Sequence, residues 1–122
     1  MDKNDYSKKM DIQTVIDNLV FSLKPSDLYK IILFGSYANG NPDEHSDIDL
    51  MVILDDLHVS KTYEERLNRK IVIRNLVLDI NRKIPLDILV YSKEELNIIK
   101  KNGDFLIDEI EKKGKIIYEK TS

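Results

Sequence analysis

Apolar residues first fall at helical spacing from position 12. Ile12, Val15, Ile16, Leu19 and Leu23 share one face, and Pro25 closes the run. Residues 29–34 (YKIILF) form a short apolar run rich in isoleucine, which predicts a buried strand. Gly35 and Ser36 follow at once, residues 36–40 fit a short helix, and 40–46 (GNPDEHS) has loop composition. Residues 47–54 (DIDLMVIL) predict a second strand. Thr62 and Glu65 have capping-box spacing, and a helical pattern then runs to about Lys83 through Tyr63, Leu67, Ile71, Leu76, Val77 and Ile80. Pro85 precedes a third strand over 86–91. Ser92 and Glu95 repeat the capping-box spacing and open a helix to about Lys101. A last helix spans 104–113, closed by Gly114, and 115–119 (KIIYE) reads as a short final strand. Helices and strands alternate, so the class is α/β or α+β, a small mixed β-sheet flanked by helices.

Composition narrows this only slightly. With 122 residues, 42% of them apolar, the chain suits one globular domain over 12–120 after a loosely ordered lead-in over 1–11. A net charge of −3 argues against a broad nucleic-acid-coating surface. The absence of cysteine excludes disulfides and thiolate metal sites and accords with a cytoplasmic protein. The opening residues MDKNDYSKKMD have no apolar signal core, and the longest apolar runs are too short to span a bilayer.

The informative segment is FGSYANGNPDEHSDIDLMVIL, residues 34–54. Strand side chains alternate faces, so Asp47 and Asp49 point the same way, about 7 Å apart, with Met51 and Ile53 beyond them. Ile48, Leu50, Val52 and Leu54 form the opposite, wholly apolar face, which reads as core. Two neighbouring carboxylates repel and are costly to desolvate, and a hard divalent cation relieves both effects. Alone, the pair also fits a turn cap and a wet strand end. Gly35-Ser36 directly after a strand fits an anion site at backbone amides, and alone it also fits an ordinary turn. Spacing removes two alternatives. Gly35 and Gly40 begin like a P-loop, but Asn41-Pro42 stands where Lys-Ser/Thr is required. A calcium loop starting at Asp43 or Asp47 lacks glycine at its sixth position. Asp87 lies in the next apolar strand. Pairing of that strand beside residues 47–54 brings three acids to one sheet end, suited to two metals and a general base.

Gly35-Ser36, ten residues, Asp47-x-Asp49 and a later strand acid at Asp87 together resemble the polymerase-β-type nucleotidyltransferase superfamily. Within it, GSYANG, SDIDLMVIL, PLDILVYS and FLIDEIEKKGKIIYE resemble the minimal nucleotidyltransferase group, over residues 12–120. The resemblance implies that superfamily's fold and transfer of a nucleoside monophosphate, AMP from ATP, to a hydroxyl. It implies that Gly35 and Ser36 hold the triphosphate. Asp47, Asp49 and Asp87 would ligate Mg²⁺, two ions during turnover, and Asp87 would help deprotonate the acceptor. Many members carry arginine where this chain has Tyr37 or Asn39, a departure that bears on phosphate binding.

Little chain remains for an acceptor-binding domain, so the acceptor site is expected from a partner or another copy in a homo-oligomer. The resemblance implies a helical HEPN-type toxin as partner, with AMP attached to a toxin tyrosine and this chain as antitoxin. A transferase acting on a small molecule such as an aminoglycoside, and a non-catalytic binding antitoxin, are the alternatives. Arg66, Arg69, Lys70, Arg74, Arg82 and Lys83 make the central helix basic, which fits a solvated face or a surface for an acidic partner. His45 and His58 read as surface loop residues, and Tyr37 as a residue packing the short helix on the sheet.

Overall fold

The computed structural model describes residues 11–43 and 45–121. Most of the expected lead-in, residues 1–10, lies outside the described residues. Asp11 does not belong to it. Asp11 is the N-cap of helix α1 (Ile12–Leu23), and its carboxylate accepts the Gln13 N–H at 3.3 Å. The chain continues as β1 (Leu28–Phe34), the four-residue α2 (Ser36–Asn39), β2 (Ile48–Leu54), α3 (Tyr63–Leu76), α4 (Leu78–Lys83), β3 (Leu86–Ser92), α5 (Lys93–Lys101), α6 (Phe105–Lys113) and β4 (Lys115–Glu119).

The four strands form one mixed sheet in the order β3-β2-β1-β4. β1 runs antiparallel to both β2 and β4, and β3 runs parallel to β2. A parallel pair cannot be joined by a tight turn, and here α3 and α4 make the crossover. The sheet carries a core on each side. Val15, Leu19 and Leu23 of α1, with Ile73 and Val77, cover Ile31, Leu33, Ile48, Leu50 and Val52 on one face. Leu96 of α5, with Ile107 and Ile110 of α6, covers Ile32, Met51 and Ile53 on the other.

The sequence places the Ile48, Leu50, Val52 and Leu54 face in the core and leaves the Met51 and Ile53 face unassigned; the structure buries both. Met51 and Ile53 are as inaccessible as Leu50 and Val52. A strand paired on both edges and covered on both faces leaves its apolar side chains no route to water. Three smaller differences follow local chemistry. β2 begins at Ile48 rather than Asp47, with the Ile48 N–H donating to Pro85 O at 3.0 Å. The expected long helix breaks at Val77, where the Val77 N–H bonds Arg74 O and helix restarts at Leu78. Asn75 and Val77 are both weak helix formers. The Thr62–Glu65 box forms by half. The Glu65 N–H donates to Thr62 Oγ1 at 3.1 Å, but the Glu65 carboxylate accepts from the Lys61 N–H instead.

The Ser92–Glu95 box is complete. Glu95 also accepts from the Ser60 N–H at 3.0 Å and pairs with Arg69 of α3. Burial pushes the Glu95 carboxyl upward, but these donors outweigh it and hold the carboxyl below its ordinary value. Arg69 is thereby taken out of the basic helix surface.

At the end of α6, Gly114 lets the helix turn directly onto β1. Its φ is −73°, so the constraint is steric. A Cβ there would lie 2.5 Å from Ile110 O, 2.5 Å from Ile32 Cγ2 and 3.1 Å from Leu33 O. Gly114→Ala is expected to lose about 1–3 kcal/mol of stability by overpacking. Urea unfolding of the two proteins checks this, and an unchanged midpoint would contradict the packing argument.

Candidate active site

β1 ends at Phe34, and the chain turns sharply at Gly35 (φ 73°, ψ −153°) to enter α2. That conformation is open to glycine and costly for other residues. Ala38 of α2 packs into the first core, and the short helix ends at a second left-handed glycine, Gly40. Residues 41–43 and 45–47 belong to the return of the chain to the sheet. Asp43 organises this loop: its carboxylate accepts from the His45 N–H at 2.8 Å, and its own N–H donates to Ser46 Oγ at 2.9 Å. The loop delivers Asp47, exposed, one residue before β2.

Strand register does the rest. Phe34 on β1 and Asp87 on β3 are both Cα partners of Asp49, one on each side. Paired residues on neighbouring strands sit about 4.8 Å apart and point to the same face. Asp49 and Asp87 therefore emerge side by side at one end of the sheet, on the face that Met51 and Ile53 continue into the second core. Asp87 is exposed and Asp49 half-buried. The Asp49 carboxylate lies against the bare Cα of Gly35, where an added Cβ would collide with Oδ2 and sit 3.0 Å from Cγ.

Burial pushes the Asp49 carboxyl above its ordinary value, and the neighbouring charges of Asp87 and then Asp47 push it further the same way. Asp49 thus feels both of the other acids. The three do not close on one point: among the described residues, no group of three or more His, Cys, Asp or Glu side chains is arranged to hold a metal ion. The turn that holds Gly35 also borders a cavity of about 130 Å³ lined by Phe34, Gly35, Asn39, Leu106, Glu109, Ile110, Lys113 and Gly114.

All five residues singled out in the sequence thus lie around this sheet end, Ser36 through its place at the start of α2. The sequence reading missed the α6 wall of the cavity. Leu106, Glu109 and Lys113 reach Gly35 only because β4 pairs with β1, Lys115 opposite Leu33. Gly114, legible in the sequence as the residue that closes the last helix, was the available signal. A further cavity near α6, lined by Lys100, Gly103, Asp104, Phe105 and Asp108, shares none of these acids or glycines.

Two predictions follow from this geometry. An acid whose pKa is raised on folding destabilises the folded state when ionised, and that penalty vanishes below its unfolded pKa. Asp49→Asn should therefore raise the melting temperature at pH 7, with the gain shrinking as pH falls through the raised pKa and gone below about 4. Thermal melts across pH check the sign. Gly35→Ala should cost about 1–3 kcal/mol from the forced positive φ, and more from the displaced Asp49 carboxylate. Equal stability of the alanine variant would contradict the close packing of these two residues.

Comparison with known proteins agrees with this architecture. The provisionally named protein adenylyltransferase MJ1305 of Methanocaldococcus jannaschii is 37% identical over 94 residues, 77% of this chain and 60% of that protein. The chain thus spans less than two thirds of that relative. Among solved structures, a toxin–antitoxin complex with AMP-PNP aligns at a TM-score of 0.56 and 19% identity, covering 87% of this chain and 74% of that one. A mutant of the MntA–HpeT toxin–antitoxin pair aligns at 0.54 and 16% identity, with the same coverage. At those identities the likeness concerns the fold. No helix among the described residues is long and apolar enough to cross a membrane. Residues 15–122 match the family model described as polymerase beta, nucleotidyltransferase, and the chain belongs to that family.

Proposed function

We propose that this chain transfers AMP from ATP to a hydroxyl of a partner protein, a tyrosine of a helical HEPN-type toxin, and so acts as its antitoxin. The observation that carries the reading is the register of Asp49 opposite Asp87, with Asp47 beside them and Gly35 bare against Asp49. The provisional name of the relative points to protein adenylylation. The toxin–antitoxin structures of similar fold, one containing AMP-PNP, are consistent with the partner and the nucleotide.

The donor set suits Mg²⁺. All candidate ligands are hard carboxylate oxygens, and their mutual repulsion calls for a cation. Mg²⁺ commonly takes one or two carboxylates and completes its shell with waters and substrate phosphates, so three converged protein ligands are not required. In this proposal Asp47, Asp49 and Asp87 hold the metal, which supplies charge neutralisation at the phosphates. Gly35 and the Ser36 turn hold the triphosphate. Asp87, the exposed acid of the edge strand, takes the acceptor proton. The acceptor oxygen forms a bond to the α-phosphorus as the bond to the bridging oxygen of the β-phosphate breaks, and pyrophosphate leaves. The protein's contribution is position and preorganised charge. The acceptor surface comes from the partner or from a second copy of this chain.

Intact-mass spectrometry tests the proposal. The co-purified partner, incubated with this protein, ATP and Mg²⁺, should gain AMP-sized mass on tyrosine. Asp47→Ala and Asp49→Ala should lose several kcal/mol of barrier stabilisation, on the order of a thousandfold in rate. Both variants should keep the fold by circular dichroism. An unmodified partner, or an undiminished rate in either variant, would refute the assignment.

A further inference from the structure

Residues 31–60 hold six Asp and Glu and no Lys or Arg. The turn at Gly35, helix α2, the returning loop, Asp47 and Asp49 all fall inside that cation-free segment. Asp87, opposite Asp49, adds another negative charge. A nucleoside triphosphate entering here brings more of the same sign. Divalent cations offset part of it, and a protein cation must come from another element.

One lysine stands on that cavity. Lys113, in the last turn of α6, lines the cavity together with Gly35 and Asn39. Its ammonium pairs with Glu109, four residues earlier, at 2.8 Å, and the lysine side chain is 71% exposed. Ion pairs of this spacing at this exposure are weak and exchange readily. Lys112, its neighbour, pairs with Asp108 at 2.9 Å and does not line the cavity. A lysine ammonium is a mobile point charge on a flexible stem, suited to following a polyphosphate from a weak resting pair.

We infer that Lys113 is this chain's own cation for the polyphosphate of a nucleotide held at Gly35, with Glu109 its resting partner. The inference rests on the nucleotidyltransferase reading above and adds a binding residue from the far end of the sequence. The attraction grows with phosphate charge, so Lys113 discriminates triphosphate from monophosphate rather than one base from another.

Calorimetric titration with ATP and with AMP, each in the presence of Mg²⁺, tests it on the full chain. Lys113→Ala should weaken ATP binding about tenfold, the scale of one charge-assisted contact, and change AMP binding little. Lys113→Arg should retain most of the affinity, and Lys112→Ala should match the parent protein. Glu109→Gln, which releases the lysine, should tighten ATP binding. Unchanged ATP affinity in Lys113→Ala, or an equal loss in Lys112→Ala, overturns the inference and leaves the nucleotidyltransferase reading intact. Failure of the parent protein to bind ATP overturns both.

Discussion

A carboxylate can rest against the main chain at residue 35 only because no Cβ stands there. The rest of the site is arranged around that contact. Gly35 takes a positive φ, so β1 can stop at Phe34 and turn straight into α2. The antiparallel register then sets Phe34 opposite Asp49, and the parallel register sets Asp49 opposite Asp87. A slip of one residue in either pairing would send the Asp49 side chain to the other face of the sheet. Ile48 and Leu50, buried in the core on that other face, hold the register. The buried strand thus fixes the position of a charged group that it would not otherwise tolerate.

Much of this was legible in the sequence because it rests on local rules. The helices and strands announce themselves by period, and the Ser92–Glu95 box forms as its spacing says. Asp49 and Asp87 could be named because carboxylates in apolar strands conflict with burial, and such conflicts mark functional sites. What could not be read depends on distant pairing. Met51 and Ile53 share a face with two carboxylates and could not be assigned to the core from sequence, since nothing within β2 reveals that α5 and α6 will cover that face. The break at Val77 is invisible to periodicity, because Ile73, Val77 and Ile80 keep helical spacing across it. The α6 wall of the cavity lies some seventy residues from Gly35 in sequence, and only the β1–β4 pairing joins them.

The electrostatics of the fold divide between its two ends. Away from the acids, charge is compensated: Asp55 accepts from Lys93 at 3.1 Å and from Lys120 at 2.5 Å, and these donors hold its carboxyl below the ordinary value. Those ties link α5 and the last residues to the end of β2. At the other end Asp49 meets Asp87 and Asp47, and its carboxyl is pushed the opposite way. One strand, β2, therefore carries a satisfied acid just beyond its C-terminal end and an unsatisfied one near its start.

That asymmetry separates structure from function in a single element. The compensated end contributes to holding the sheet together, whereas repulsion at the other end works against folding. Such repulsion persists only when the rest of the molecule over-determines the geometry, and the two cores on either side of β2 provide that margin. In the proposed function relief comes from outside the chain, from a cation whose remaining coordination positions the oxygens of the nucleotide would complete. Under that proposal cation and nucleotide each lower the electrostatic cost of binding the other, so the two would bind cooperatively. The same reasoning explains why the cation inferred for the polyphosphate, Lys113, sits on a neighbouring helix. A lysine fixed among Asp47, Asp49 and Asp87 would neutralise the acids before a ligand arrived. One resting on Glu109 leaves them available to the metal and nucleotide of the proposed reaction.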